Sequence, residues 1–324
     1  MTNLVRIVSA ALLAAALSSP ALAQQYPARS VTIVVPFPPG GGTDTGTRII
    51  AMKLSQKWGQ PVVVENKPGA AGMIGADYVS KAKPDGYTLM MGNIGTQSIN
   101  PPLYGKLLPY KAEGAFAPVT LVAELPMVML ANPKLAAKTP GEVIALAKAS
   151  PGRISYSSSG PGGSMHLAGA LFEIATNTDL LHVPYKGGGP AISDLIAGHV
   201  DLSFATILES SGHVKGGRLR AIAVTSDKRW PTLPDVPTLA ESGLPGFNTG
   251  SWIGIVAPAA TPRDIVDKVA RDVHDILATP EVRDQFLAQG STPVGSPPAE
   301  FAALIDKDHK RYAQIIRERK LTAE

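Results

Sequence analysis

The stretch Val31-Thr32-Ile33-Val34-Val35-Pro36-Phe37-Pro38-Pro39-Gly40-Gly41-Gly42-Thr43-Asp44 decides the fold. Its first five residues form a near-continuous apolar, β-branched run, the pattern of a strand buried on both faces of a parallel sheet. The run breaks at the prolines and at three glycines. Beyond them Ile50, Leu54 and Trp58 recur every four residues up to Gly59, which predicts a helix stopped by a glycine. The opening unit is therefore strand, glycine-rich loop, helix.

The same unit recurs along the chain. Residues 62–64 read as a strand, 66–72 as a loop, 73–82 as a helix and 87–91 as a strand, so the first part is α/β with a largely parallel sheet. Residues 117–131 are apolar except at Glu124 and Pro126, enough chain to pass from one domain into another. Thr139-Pro140-Gly141-Glu142 carries a capping-box pattern with proline at the first helical position and predicts a helix through Ala149. A second α/β series follows: strand 154–157, loop 158–164, helix 165–176, strand 181–184, Gly187-Gly188-Gly189 before helix 190–197, and strands 200–204 and 219–224. After a turn-rich stretch, 251–256 reads as a return strand. Three helices close the chain: 262–278 behind an N-capping Thr261, 280–289, and 298 to about 320. The expected division is one domain of residues 24–122 with 250–324 and an inserted domain of 123–249. Its two crossovers would act as a hinge.

Composition narrows the function. None of the 324 residues is cysteine, which excludes disulfide scaffolds, cysteine-bound zinc, iron–sulfur clusters and thiol nucleophiles. The net charge of +4 is spread without a Lys/Arg run, which argues against nucleic acid while suiting a protein that meets small anions. Arg6 is the sole charged residue before Arg29, an apolar core spans 7–17, and Ala21-Leu22-Ala23 is a small-x-small triplet. Residues 1–23 therefore read as a secretory signal peptide cleaved after Ala23. With no cysteine after that core a lipid anchor is ruled out, and no later segment is apolar enough to span a bilayer. The mature chain is expected in the periplasm as a monomer.

Two glycine loops carry the functional signal. Pro39-Gly40-Gly41-Gly42-Thr43-Asp44 and Pro161-Gly162-Gly163-Ser164-Met165-His166 each follow a strand, open a helix and begin a domain. Exposed N–H groups at a helix N-terminus attract an anion, and glycines let the backbone wrap it. One loop from each domain makes a two-jawed clamp. Neither loop carries Gly-x-Gly-x-x-Gly, and Thr47 stands where a P-loop needs lysine, so phosphate chains are not expected. A secreted esterase using Ser164 is a rival, because Gly162 to His166 sits like a nucleophile elbow. That elbow needs glycine where His166 stands. Asp44 or Thr43 reads as a helix cap, with Arg48 one turn on as partner. The histidines at 166, 182, 199, 213, 274 and 309 lack metal-ligand spacing, so neither a metal nor a cofactor is expected.

Taken together, VPFPPGGGTD, NKPGAAGMIGADYVSKAKPDGYTLMMG, NPPLY, YSSSGPGGSMHLAG, VPYKGGGPAISDLIAGHVD, LRAIAVTS and WIGIVAPAATP resemble, in order and spacing, the Bug-type receptors of tripartite tricarboxylate transporters. The resemblance covers essentially the whole mature chain. It implies a type II periplasmic binding protein fold, two α/β lobes joined by two strand crossovers, closing on a small carboxylate without transforming it. It also implies delivery of that ligand to the membrane subunits of the transporter. A ligand-presenting sensor module for a membrane kinase would share the same site. Carried onto this chain, the carboxylate-binding loops are Pro38, Gly40, Gly41, Gly42, Thr43 and Asp44, and Ser158, Ser159, Gly160, Gly162, Gly163 and Ser164. By position, Phe37, Thr96, Tyr185 and the segment Ser203 to Ala205 are expected to face the ligand's other end, a di-, tri- or aromatic carboxylate.

Overall fold

The computed structural model describes residues 26–319 and 321–322. The leader 1–23 and its cleavage point after Ala23 lie outside them. Strand β1 (Val31–Val35) is buried almost throughout and pairs in parallel with β2 (Val62–Asn66) on one side and β3 (Thr88–Asn93) on the other. Helix α1 (Gly42–Trp58) leaves the glycine loop and stops where Gly59 takes φ +63° and returns its N–H to Ser55 O at 3.1 Å. That is the left-handed stop a glycine supplies. Helix α2 (Met73–Ser80) connects β2 to β3, and a short helix α3 (Asn100–Tyr104) follows β3.

Strand β4 (Phe116–Ala131) is 16 residues long and joins the two halves of the sheet. Its first part runs antiparallel to β9 (Gly250–Pro258), ending at the pair Pro126–Gly250; from Met127 onward it pairs with β7 (Leu202–Thr206) and β8 (Arg220–Val224). Beyond β7 come β5 (Ser155–Ser158) and β6 (Leu181–Pro184), both parallel, giving the order β2-β1-β3-β9-β4-β7-β5-β6. Where β4 changes partners, Thr225 stitches the strands: its N–H donates to Met127 O at 2.9 Å and its hydroxyl to Thr249 O at 2.6 Å.

Helices cover both faces. Helix α4 (Pro140–Ala149) starts at Thr139, whose hydroxyl accepts the Glu142 N–H at 3.2 Å. Helices α5 (Ser164–Thr176), α6 (Gly188–Ala197) and α7 (Ile207–Lys215) belong to the half built on β5. There Met129, Tyr156, Phe172, Leu195 and Phe204 pack together. Around β1 a separate core joins Val31, Ile33 and Val35 to Ile50 and Leu54, to Val269 and Val273 of helix α8 (Arg263–Ala278) and to Phe286 of helix α9 (Pro280–Ala288). Strand β10 (Thr292–Pro293) adds to β4, and helix α10 (Pro298–Arg319) lays Phe301 and Tyr312 against Trp252. The molecule is thus two α/β lobes joined by crossing strands, with the carboxyl-terminal helices on the β1 lobe.

Two details depart from expectation. Helix α7 is not signalled by periodicity, because Ile207-Leu208-Glu209-Ser210-Ser211 lacks a regular apolar repeat; it begins instead through Thr206 and the Glu209 carboxylate. Thr261 does not cap α8: its hydroxyl donates to Pro258 O at 2.7 Å, and Pro262 holds the cap position.

Candidate functional site

In α/β sheets, ligands bind beyond the carboxyl ends of the strands, and here that rim faces a cleft between the lobes. From the β1 lobe it is lined by Phe37, Gly41, Gly42, Thr43 and Asn93, and from the β5 lobe by Ser159, Ser164, Met165, Gly188, Thr206 and Glu209. Leu125 and Ser251, flanking the crossover, form its floor. The lobes are closed on each other, leaving a cavity of about 30 Å³, room for little more than water. Tyr104 donates its hydroxyl across the gap to Pro161 O at 2.9 Å. Wider hollows lie elsewhere, one of about 480 Å³ beside Phe247 and Arg311, but none of those brings together helix N-termini from both lobes.

Helices α1, α5 and α6 begin at Gly41, Gly163 and Gly187, and none of the three has a side-chain cap. Their first-turn N–H groups have no partner within the helix, and all three ends border the cleft. Glycine is required where the lobes touch. A Cβ on Gly42 would stand 2.7 Å from Thr206 Oγ1, and one on Gly189 would stand 2.6 Å from Pro39 O.

Asp44 does not face the cleft. Its carboxylate accepts the Gly40 N–H at 3.0 Å, Arg48 through both oxygens at 2.9 Å, and the Asn66 amide at 2.9 Å. Burial alone would raise its pKa, but these donors from Arg48, Asn66 and Gly40 outweigh burial and hold it below the usual value. Asn66 also donates to Phe37 O at 2.9 Å, so Asp44 and Asn66 fix the whole loop from Phe37 to Gly42. Gly40, at φ +89°, makes the turn possible. Pro38 packs against Gly187 of the opposite lobe.

On the β5 lobe, Ser158 is buried and points inward. Its Oγ meets His182 Nε2 at 2.6 Å and accepts the Gly160 N–H at 3.1 Å. Gly163 N–H bonds Gly160 O at 3.0 Å, closing the loop. Gly162 N–H donates to His166 Nδ1 at 3.1 Å, and His166 stacks on His182 with centroids 4.2 Å apart. Burial pushes both imidazoles down to about 4, helped at His182 by its neighbour His166. With Nδ1 turned to a backbone N–H, His166 makes no hydrogen bond to Ser164 among the described residues.

Of the expected site residues, the structure brings Phe37, Gly41, Gly42, Thr43, Ser159 and Ser164 to the cleft. The other eleven are not among its lining residues: Pro38, Gly40, Asp44, Ser158, Gly160, Gly162 and Gly163, placed as described above, and Thr96, Tyr185, Ser203 and Ala205. Thr96 turns back on Asn93, accepting its N–H at 3.0 Å and donating to its carbonyl. Tyr185 donates to Asp194 at 2.7 Å. Ser203 donates to Ser157 O at 3.2 Å, and Ala205 is buried opposite Val128. The residue that lines the cleft there is Thr206, one step beyond the nominated segment at the carboxyl end of β7. Asn93, at the end of β3, was findable by the same strand-end rule, and Glu209 by the Thr206-x-x-Glu209 capping pattern.

Glu209 is the one charged side chain lining the cleft among the described residues. It lies deep in the protein while keeping part of its surface open to the cleft. One oxygen accepts the Thr206 N–H at 2.9 Å and the Thr206 hydroxyl at 3.1 Å; the other reaches across to the Gly42 N–H at 3.1 Å. Burial dominates and pushes its pKa up, while the donors from Thr206 and Gly42 pull the other way without cancelling it.

Comparison with known proteins places this architecture. The model of the tripartite tricarboxylate transporter family receptor matches residues 47–321. Protein BugT of Bordetella pertussis is 36% identical over 323 residues, covering 98% of each chain. Among solved structures, R. palustris Rpa4515 with adipate superposes at TM-score 0.89 with 33% identity, covering 92% of this chain and 99% of that one. MatC from Rhodopseudomonas palustris with bound malate superposes at 0.85 with 33% identity, covering 90% and 100%. These are periplasmic binding-protein folds and receptors, not enzymes. By family match and fold alike, this chain belongs to the tripartite tricarboxylate transporter receptors.

Proposed function

We propose that the protein is an extracytoplasmic receptor that binds a small organic carboxylate in this cleft and delivers it to the membrane subunits of a tripartite tricarboxylate transporter. The observation that carries the reading is the meeting of three helix N-termini from two lobes at one cleft, each with a glycine at its cap position. Peptide N–H groups so arranged favour an anion without supplying a reactive group. Relatives solved with adipate and malate support a carboxylate as the ligand class.

Residues 24–122 with 250–324 form one lobe in this reading and 123–249 the other, and they swing about Pro126, Thr225 and Gly250. The cleft is too small to admit a ligand while closed. A ligand therefore enters an open form and is buried by closure, and its higher affinity for the closed state drives the motion. The leader 1–23 would direct export and be cleaved after Ala23, which mass spectrometry of the exported protein would read directly.

A thermal-shift screen of the mature chain against mono-, di- and aromatic carboxylates tests the reading. A ligand at a hundred times its dissociation constant adds about 2.7 kcal/mol of stability. No shift across the series would remove the proposal. Capture of the membrane subunits by the liganded protein tests the delivery step.

A further inference from the structure

The anion cradle at the start of α1 already holds an anion that belongs to the protein. Glu209 Oε2 accepts the Gly42 N–H at 3.1 Å, from the opposite lobe. Gly188, first residue of α6, lies against the same carboxylate, and a Cβ there would come within 3.1 Å of Glu209 Cδ. All three of its hydrogen bonds are accepted, and it donates none. Three helix starts, those of α1, α6 and α7, therefore surround an acceptor carboxylate. No ion pair joins it to a lysine, arginine or histidine among the described residues, and no charged neighbour contributes to its shifted pKa. Arg48, in the second turn of α1, is already bound by Asp44 and Asn66.

A deep carboxylate with donors but no cation is incompletely compensated, and such a group on a cleft wall is a place where a ligand completes the pairing. The remaining cradle lies at α5, where Ser159, Ser164 and Met165 border the cleft beside uncapped N–H groups. We infer that Glu209 is the residue that sets ligand class. The ligand places its carboxylate on the α5 start and presents an ammonium, or another strong hydrogen-bond donor, to Glu209. The favoured ligand is an amino-carboxylate, and a dicarboxylate of the same length is penalised because its second carboxylate meets Glu209 in a closed, water-poor cavity. This inference rests on the carboxylate-receptor reading and sharpens it, and it departs from the dicarboxylates seen in the two relatives.

Matched pairs test it by titration calorimetry on the mature chain: 3-aminopropanoate against succinate, 4-aminobutanoate against glutarate, and 5-aminopentanoate against adipate. The amino acid of at least one pair should bind about tenfold tighter or more than its dicarboxylate partner. Glu209→Gln keeps the shape and one acceptor oxygen, and should erase or invert that ratio. A wild-type protein that prefers the dicarboxylates overturns the inference whether or not the variant folds. So does an unchanged ratio in a folded Glu209→Gln protein. In both cases binding itself survives, and with it the receptor reading. Absence of binding by every compound in the pairs overturns the assignment of Glu209; absence across the wider carboxylate screen overturns the receptor reading as well.

Discussion

Gly42 offers the sharpest test of how the lobes close. A methyl group there would stand 2.7 Å from Thr206 Oγ1, where ordinary contact begins at 3.4 Å, so about 0.7 Å of overlap must be relieved. Thr206 cannot yield freely, because its hydroxyl donates to Glu209 at 3.1 Å. In Gly42→Ala the relief comes from parting the lobes, which breaks the bond from Gly42 N–H to Glu209. A hydrogen bond to a charged group contributes about 1.5–3 kcal/mol, so the closed population should fall roughly 13- to 160-fold relative to the open one. Helix α1 itself does not suffer, since alanine is a better helix former than glycine. Small-angle scattering should show a larger radius of gyration, and calorimetry a matching loss of ligand affinity, with little change in Tm. Gly46→Ala supplies the contrast. Its Cβ would strike Ile253 Cδ1 within the β1 lobe, an overpacking that costs about 1–3 kcal/mol of fold stability without touching closure. If Gly42→Ala scatters and binds like the wild type while keeping its fold, the interlobe contact has been misassigned.

Three other outcomes follow from the site. Asp44→Ala should lower stability by about 1–3 kcal/mol, because Gly40 N–H, Arg48 and Asn66 lose their acceptor. As the Asp44 pKa is depressed, its contribution is present above the unfolded value and is lost as pH falls through the folded one, so urea unfolding of wild type and variant should converge in strong acid. His166 and His182, held near 4, take up protons in the unfolded chain from about 6.5 downward. Stability should therefore drop as pH goes from about 6.5 to about 4, and NMR titration should find neither ring charged at pH 6; a charged ring there would contradict the buried stack. Ser164→Ala should weaken ligand binding several-fold, by about 0.5–1.5 kcal/mol, whereas Tyr185→Phe, whose hydroxyl serves Asp194, should leave it unchanged.

The sequence carried the first lobe's architecture well because the β1 run is apolar on both faces, a signal that survives without tertiary information. Gly59 and Thr139 mark helix ends through local chemistry alone, and both do so in the structure. What escaped was decided at a distance. Helix α7 depends on a capping carboxylate whose second oxygen is spoken for by Gly42, 167 positions away. The cleft faces of β3 and β7 are set by where each strand ends, and Thr206 rather than Ala205 occupies that end. The glycine loops were legible as anion cradles, but not that one of them is filled from across the cleft by Glu209.

A crystal structure of the mature chain with its bound ligand tests the central claim most directly. The account predicts a carboxylate within hydrogen-bond distance of the backbone N–H groups of Ser164 or Met165, in the cleft that also holds Gly42 and Glu209. A ligand seated instead in the larger hollow beside Phe247 and Arg311, with the glycine loops untouched, would contradict it.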